Sequence, residues 1–265
     1  LRVTSYASSK LWVMDRNWPS GAVVLLTGAS SGLGRELLGQ LLHWGAEVHI
    51  LLHPRHAGVN GRKWLEGDIA GEIFCDLSDP ASVEVAATKI NESVPRLNTL
   101  ILCAGTAVYG KTTDIPWPTV DHVMKVNYLA NVILVGKLLP TLRSHPIGRI
   151  VCIGSGSALM GLTGGAPYTA SKSAFYNFFE SLQGECQGSS VRLLHVMPGY
   201  MKTPIHDKQP RFGNAGSVPP TGKAMNVGSV AKAIIKWGRY REGNVLLGRN
   251  PRLAYHLRYW CPGVL

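Results

Sequence analysis

Between residues 21 and 44 the chain reads as strand, glycine turn and helix, and this unit restricts the fold more than any other stretch. Residues 21–26 (Gly-Ala-Val-Val-Leu-Leu) are continuously apolar and run into Thr27-Gly28. That is the pattern of a buried parallel strand entering a turn. The turn is Thr27-Gly28-Ala29-Ser30-Ser31-Gly32-Leu33-Gly34, and a helical pattern follows over 35–44. Glycine lets backbone come close to a phosphate, and a helix N-terminus offers free N–H groups and a positive dipole. The spacing is G-x-x-x-G-x-G, not the G-x-G-x-x-G of the common dinucleotide fingerprint.

The remainder of the chain repeats the alternation. Gly45-Ala46 ends the first helix and 47–52 reads as a second strand. In a dinucleotide fold the end of this strand meets the adenosine ribose, where a carboxylate binds a free 2′-hydroxyl. Here the residues are Leu52, His53, Pro54, Arg55 and His56, so a 2′-phosphate held by Arg55 and His53 is expected, and NADP (NADPH) in preference to NAD. Residues 57–70 read as a surface loop, 72–75 as a third strand, and 80–93 as a helix opened by Pro80 and capped by Ser78 or Asp79. Strands are expected at 99–103, 149–153, 191–197 and 244–247. Helices are expected at 119–142, 168–186 and 227–237, with Pro140 kinking or ending the first of these. Residues 202–223 are loop-like. The alternation predicts a single-domain α/β fold, a doubly wound parallel sheet with helices on both faces. Its expected bounds are 21–250, after an N-terminal extension over 1–20 and before a tail over 251–265.

With 265 residues the chain can enclose a sizeable core in one domain. Cys75, Cys103, Cys152, Cys186 and Cys261 are scattered without a C-x-x-C pair. They read as reduced thiols of a cytoplasmic protein, or one on the cytosolic face of an internal membrane, and not as a disulfide frame or metal site. The formal net charge of +11 is spread along the chain without a long basic run, which fits an enzyme with an anionic cofactor better than a nucleic-acid binder. No stretch reads as a continuous apolar span of about 20 residues.

Tyr168 and Lys172 are four residues apart, on one face of a helix and one turn from each other. An ammonium there favours the phenolate and brings the phenol towards proton exchange near neutral pH. Ser155 lies thirteen positions before Tyr168, in Gly154-Ser155-Gly156-Ser157, and Asn127 lies within the long helical pattern.

Taken together and in order, these motifs resemble those of the short-chain dehydrogenase/reductase family, over about residues 21–247. The resemblance implies that Gly28, Ser30, Ser31, Gly32, Leu33 and Gly34 form the cofactor turn. Asp76 and Leu77 would meet the adenine, and Ala104-Gly105 would let the adenosine approach. It implies a catalytic tetrad of Asn127, Ser155, Tyr168 and Lys172, with Tyr168 and Lys172 also touching the cofactor. Pro198-Gly199-Tyr200-Met201-Lys202-Thr203 matches the P-G-x-x-x-T segment, placing Pro198, Gly199, Met201 and Thr203 at the nicotinamide. Cys103 stands where the family carries an Asn. Asn127 would hold a water linking Lys172 to bulk solvent.

The activity implied is hydride transfer between NADP(H) and a carbonyl or secondary alcohol. A cofactor-binding regulator without catalysis is the alternative, though it usually lacks the Tyr or the Lys. Tyr200, Met201, Ile205, Phe212, Val218 and Met225 predict an apolar pocket for a lipophilic ketone or alcohol. The tail, with Tyr255, Leu257, Arg258, Tyr259 and Trp260, is expected to pack on its own sheet or a partner subunit, with membrane-surface contact as the alternative. Phe175, Phe178 and Phe179 exceed what one helix needs to face its own sheet. That predicts a homodimer or homotetramer paired through the two long helices.

Overall fold

The computed structural model describes residues 15, 17–57, 67–201, 203, 209–213, 224–248, 252, 253, 255 and 256. Seven strands form one parallel sheet: β1 (Val23–Thr27), β2 (Glu47–Leu52), β3 (Gly71–Phe74), β4 (Thr99–Leu102), β5 (Gly148–Ile153), β6 (Val191–Pro198) and β7 (Gly243–Leu247), in the order β3-β2-β1-β4-β5-β6-β7. Register is set by apolar cross-strand neighbours such as Leu26 with Ile50 and Ile101, and Ile153 with Val196. The strand order reverses between β1 and β4, and the crevice at their carboxyl ends is where such sheets bind ligands.

The helices are α1 (Gly32–His43), α2 (Pro80–Ser93), α3 (Trp117–Met124), α4 (Ala130–Arg143), α5 (Ala166–Glu185) and α6 (Val227–Gly238). One core lies between the sheet and α2, α4 and α5, the other between the sheet and α1 and α6. Burial sorts the strands by alternation: Val23 and Leu25 face the first core, Val24 and Leu26 the second. α2 begins as its sequence suggests, with Pro80 in the first turn and Asp79 accepting from the Ala81 N–H at 3.1 Å. The α6 cap is Asn226, which accepts from the Ser229 N–H at 2.9 Å.

Several expectations change. Pro140 does not end its helix, because it sits in the last turn and α4 runs on to Arg143. The long helix is not uniform: a π-helical turn, Lys125–Leu129, joins α3 to α4 and contains Asn127. Trp117–Arg143 spans 27 residues with an 18-residue window of mean hydropathy 1.2, enough by length and composition to cross a bilayer, but half of that window is buried in the fold. The expectation that no stretch is long and apolar enough therefore fails at this core helix. Phe175 and Phe179 are not surplus, since both are buried in the first core. Only Phe178 lies part-exposed, stacked on Phe175 at 6.2 Å and edge-on to Tyr128 at 6.3 Å.

The end of the N-terminal segment belongs to the domain. Trp18 is 2% exposed and donates its indole N–H to the Ile235 carbonyl at 2.9 Å. The Arg149 guanidinium lies over its ring at 4.6 Å, donates to the Gly238 carbonyl at 3.1 Å and pairs with Asp15. A buried guanidinium needs such a set of partners, since an isolated buried charge is prohibitively costly.

Candidate active site

Thr27 is fully buried, and its hydroxyl accepts from the Cys103 and Ala104 N–H groups, both at 3.0 Å. This ties the end of β1 to the end of β4 and braces the strands without an Asn side chain at position 103. Gly28 takes φ +77, and a Cβ there would lie 2.8 Å from the Ala104 backbone, so only glycine fits. A Cβ on Gly34 would be driven into the Gly28 carbonyl. The turn is thus a close-packed backbone cradle. Ser31 precedes α1 in an extended conformation and makes no side-chain cap, and the first turn carries no acidic residue. The first-turn N–H groups of a 12-residue helix therefore face the crevice uncapped by Ser31. A backbone cradle beside such a helix start fits a pyrophosphate. Ser30 and Gly32 line the same turn, with Leu33 buried beneath it.

At the end of β2, the Arg55 side chain is exposed and, among the described residues, reaches only His56, at 3.4 Å. His53 is committed elsewhere. Its Nδ1 accepts from the Arg55 N–H at 3.1 Å and its Nε2 lies 3.7 Å from Asp76. Asp76 accepts from the Ser78 N–H and hydroxyl at 2.8 and 2.7 Å. The Ser78 hydroxyl bond chiefly holds its carboxyl below the ordinary value, partly offset by burial, with His53 adding a smaller effect. Leu77 beside it packs on the first core.

The reactive groups converge at the carboxyl ends of β4 and β5 and the start of α5. Asn127 is 0% exposed. Its Oδ1 accepts from the Thr106 N–H at 2.8 Å, and its Nδ2 donates to the Thr106 carbonyl and the Ser171 hydroxyl, both at 2.9 Å. Ser171 in turn donates to the Tyr168 carbonyl at 2.7 Å. The Asn127 carbonyl, within the π turn, accepts from the Asn131 side chain at 2.8 Å. A Cβ on Gly105 would lie 3.3 Å from Asn127 Oδ1 and 3.4 Å from Lys172 Nζ, so the three residues meet.

Ser155 opens a 3₁₀ turn, Gly156–Leu159, and its hydroxyl accepts from the Ser157 hydroxyl at 2.9 Å. Ser157 was not singled out from the sequence, and the repeated Gly-Ser of 154–157 is the one signal that marks it. Burial raises the Tyr168 pKa, and the Ser155 and Ser157 hydroxyls oppose the rise. One turn away, the Lys172 ammonium donates to the Ile153 carbonyl at 3.3 Å. Lys172 is 5% exposed, and burial lowers its own pKa to about 8, with the Cys103 and Cys152 thiols raising it slightly.

Beyond β6, the Gly199 N–H donates to the Leu247 carbonyl at 2.8 Å, and Pro198 ends the strand beside the crevice. Thr203 is buried. Met201 bridges to Met225, both pack part-buried on the second core, and the Tyr200 carbonyl accepts from the Met225 N–H at 2.8 Å. Phe212 joins Val108, Ile115 and Val123 in a small apolar cluster, with Tyr109 bridged to Arg211. The Thr106 hydroxyl donates to Gln209 Oε1 at 2.8 Å and ties this segment down over Asn127. A groove of about 450 Å³ is lined by Gly161, Leu162, Thr163, Ala166, Thr169 and Ala170, on the face of α5 turned away from Tyr168 and Lys172. Lys202, Ile205, Val218, Leu257, Arg258, Tyr259, Trp260 and Cys261 lie outside the described residues. Cys75, Cys103, Cys152 and Cys186 are free thiols.

Comparison with known proteins agrees with this geometry. The short chain dehydrogenase family model matches residues 22–212. The chain is 30% identical over 272 residues to Dehydrogenase/reductase SDR family member 7B of Bos taurus, covering 96% of this chain and 82% of the relative. It is 27% identical over 225 residues to 3-ketodihydrosphingosine reductase of Bos taurus, covering 82% and 68% respectively. Among solved structures it is similar in fold to a short chain dehydrogenase from Burkholderia cenocepacia in complex with NADP, with TM-score 0.75, 24% identity and 92% and 96% coverage. A second, from Burkholderia phymatum in complex with NAD, has TM-score 0.77, 20% identity and 92% and 95% coverage. The family match, the doubly wound sheet and the glycine cradle agree: the chain belongs to the short-chain dehydrogenase family of oxidoreductases.

Proposed function

We propose that this protein is an NADP(H)-dependent oxidoreductase that interconverts a carbonyl and a secondary alcohol on a lipophilic substrate. The observation that carries the reading is Tyr168 with Ser155 and Ser157 beside it, one helical turn from buried Lys172, whose ammonium lies against Gly105. The nicotinamide cofactor, when bound, supplies or accepts the hydride. Tyr168 gives its phenolic proton to the carbonyl oxygen in the reducing direction and recovers it in reverse. Ser155 donates to the same oxygen, so the charge that develops there meets two donors. Lys172, with a pKa of about 8, exchanges protons near neutral pH and replenishes Tyr168. Asn127 holds Thr106 and Ser171 and thereby fixes the start of α5. Gly28, Ser30, Ser31, Gly32, Leu33 and Gly34 would hold the pyrophosphate, Asp76 and Leu77 the adenine, and Ala104 and Gly105 the adenosine. Pro198, Gly199, Met201 and Thr203 would border the nicotinamide.

NADP is preferred because residues 52–56 offer no carboxylate to a 2′-hydroxyl, while Arg55 offers an exposed guanidinium to a 2′-phosphate. His53, committed to Asp76 and the Arg55 N–H, serves to orient that turn. The lipophilic substrate is supported by the relative named 3-ketodihydrosphingosine reductase. Free thiols fit a reducing cytoplasmic setting. The test is Tyr168→Phe, assayed with NADPH against a panel of long-chain and steroid ketones and sugars. Turnover falls by about 10²–10⁴ while NADPH binding, read by fluorescence, is unchanged. Turnover within a few-fold of wild type removes the role of Tyr168. Cofactor binding without turnover of any panel member by the wild type points to a regulator, and efficient turnover of sugars alone overturns the substrate class.

A further inference from the structure

The end of the molecule opposite the cleft carries a surface that oxidoreductase chemistry does not use. Strands here run parallel, so their carboxyl ends share the cleft and their starts share the other end. Trp44, at the C-terminus of α1, precedes β2, and Trp237 to Arg241, at the end of α6, precede β7. α1 and α6 are packed neighbours on one face of the sheet. Trp44 is 52% exposed, with the Arg239 guanidinium 5.9 Å from its ring. Arg241 lies 5.3 Å from the Trp237 ring and 5.9 Å from that of Tyr240. Lys236 is exposed on the last turn of α6.

We infer that Trp44, Trp237, Tyr240, Lys236, Arg239 and Arg241 form a docking face for an anionic lipid membrane. Three observations select that partner. First, among the described residues none of these cations is paired with a carboxylate. The nearby acids are engaged inward, Asp15 with Arg149 and Glu242 with Arg192 at 3.8 Å, so the outward face keeps an excess of positive charge. Second, amphipathic rings interleaved with cations are the composition of a membrane interface, where rings sit at headgroup depth and guanidinium groups meet phosphate. A nucleic-acid duplex would draw on the cations and leave the part-exposed indoles without a role, and a single strand would need open ring faces to stack on, where Arg239 and Arg241 lie over the rings here. Third, the Asp15 N–H donates to the Arg239 carbonyl at 3.2 Å, so Asp15 stands at this face. The sequence before it carries Arg2, Lys10 and Trp12 and no Asp or Glu. Docking by this end leaves the cleft at the other end free to exchange cofactor.

The experiment is co-sedimentation of the full chain with phosphatidylcholine vesicles, with and without phosphatidylserine, at low and high salt. The wild type should bind the anionic vesicles more tightly than the neutral ones, and less so as salt rises. Each cation near an anionic surface contributes about fivefold in affinity, so Lys236→Gln combined with Arg241→Gln should weaken binding by about 25-fold. Trp44→Ala should weaken it further. Thermal unfolding confirms that each variant is folded, and the two exposed glutamine substitutions carry the test if Trp44→Ala is destabilised. Equal affinity for neutral and anionic vesicles, unchanged binding by the double variant, or binding to duplex DNA but not to vesicles would each overturn the inference. None of these outcomes depends on the oxidoreductase reading.

Discussion

Lys172→Met should stabilise the ligand-free protein at neutral pH while removing its activity. Burial lowers the Lys172 pKa from an ordinary 10.5 to about 8. The folded state therefore disfavours the charged form. Below about pH 8 the lysine is protonated in both states, and folding carries the whole penalty. A shift of this size corresponds to about 3 kcal/mol. Between pH 8 and 10.5 the unfolded chain binds a proton that the folded protein does not, so stability rises with pH. Above that window the penalty is gone. Methionine fills the same space without charge, at the loss of the bond from Nζ to the Ile153 carbonyl, about 1 kcal/mol. The net gain at pH 7 is then roughly 2 kcal/mol, or about 4–8 °C in the unfolding midpoint for a domain of this size. Urea denaturation of both proteins from pH 7 to 10.5 measures it. The gap should shrink as pH rises and reverse by about 1 kcal/mol at the alkaline end. A methionine variant less stable than wild type at pH 7, or a gap that does not change with pH, would refute the claim that burial of this charge opposes folding.

Asn127→Ala leaves the Thr106 N–H and carbonyl and the Ser171 hydroxyl without a buried partner. It should cost about 2–4 kcal/mol by urea denaturation and lower turnover by loosening the start of α5. Arg55→Ala should raise KM for NADPH by about tenfold or more and leave KM for NADH unchanged; equal effects on both would detach Arg55 from the 2′-phosphate. Leu129, 39% exposed, and the part-exposed Phe178 and Tyr128 lie on the outer side of the two long helical segments. Pairing of two copies there should give at least twice the chain mass by light scattering at micromolar concentration, and a monomer would discard it.

Much of the fold was legible because its signals are local. The strand, turn and helix of 21–44 announce themselves by apolar continuity and glycine spacing, and a parallel sheet follows from strands alternating with helices. The relation of Tyr168 to Lys172 is equally local, since four residues make one helical turn. Other features depend on distant chain. That Thr27 braces β4 in place of an Asn at 103, that Ser157 as well as Ser155 reaches Tyr168, and that His53 turns to Asp76 are facts of packing between segments. The π turn that carries Asn127 is invisible to periodicity, because one extra residue in a single turn shifts the pattern less than ordinary substitution noise.

The sequence by itself determined which residue types stand at the cradle and the reactive cluster, through spacing that short-range geometry converts directly into position. Only the tertiary structure decided their charge states and the limits of the domain. Lys172 has an ordinary ammonium in any local reading, and becomes a group of pKa about 8 only when two strands and a helix exclude water from it. Trp18 reads as part of an N-terminal extension, and becomes core only when the ends of α6 and β5 close around its ring. Burial is a property of everything a residue meets, so it cannot be read from the residue's own neighbours in the chain.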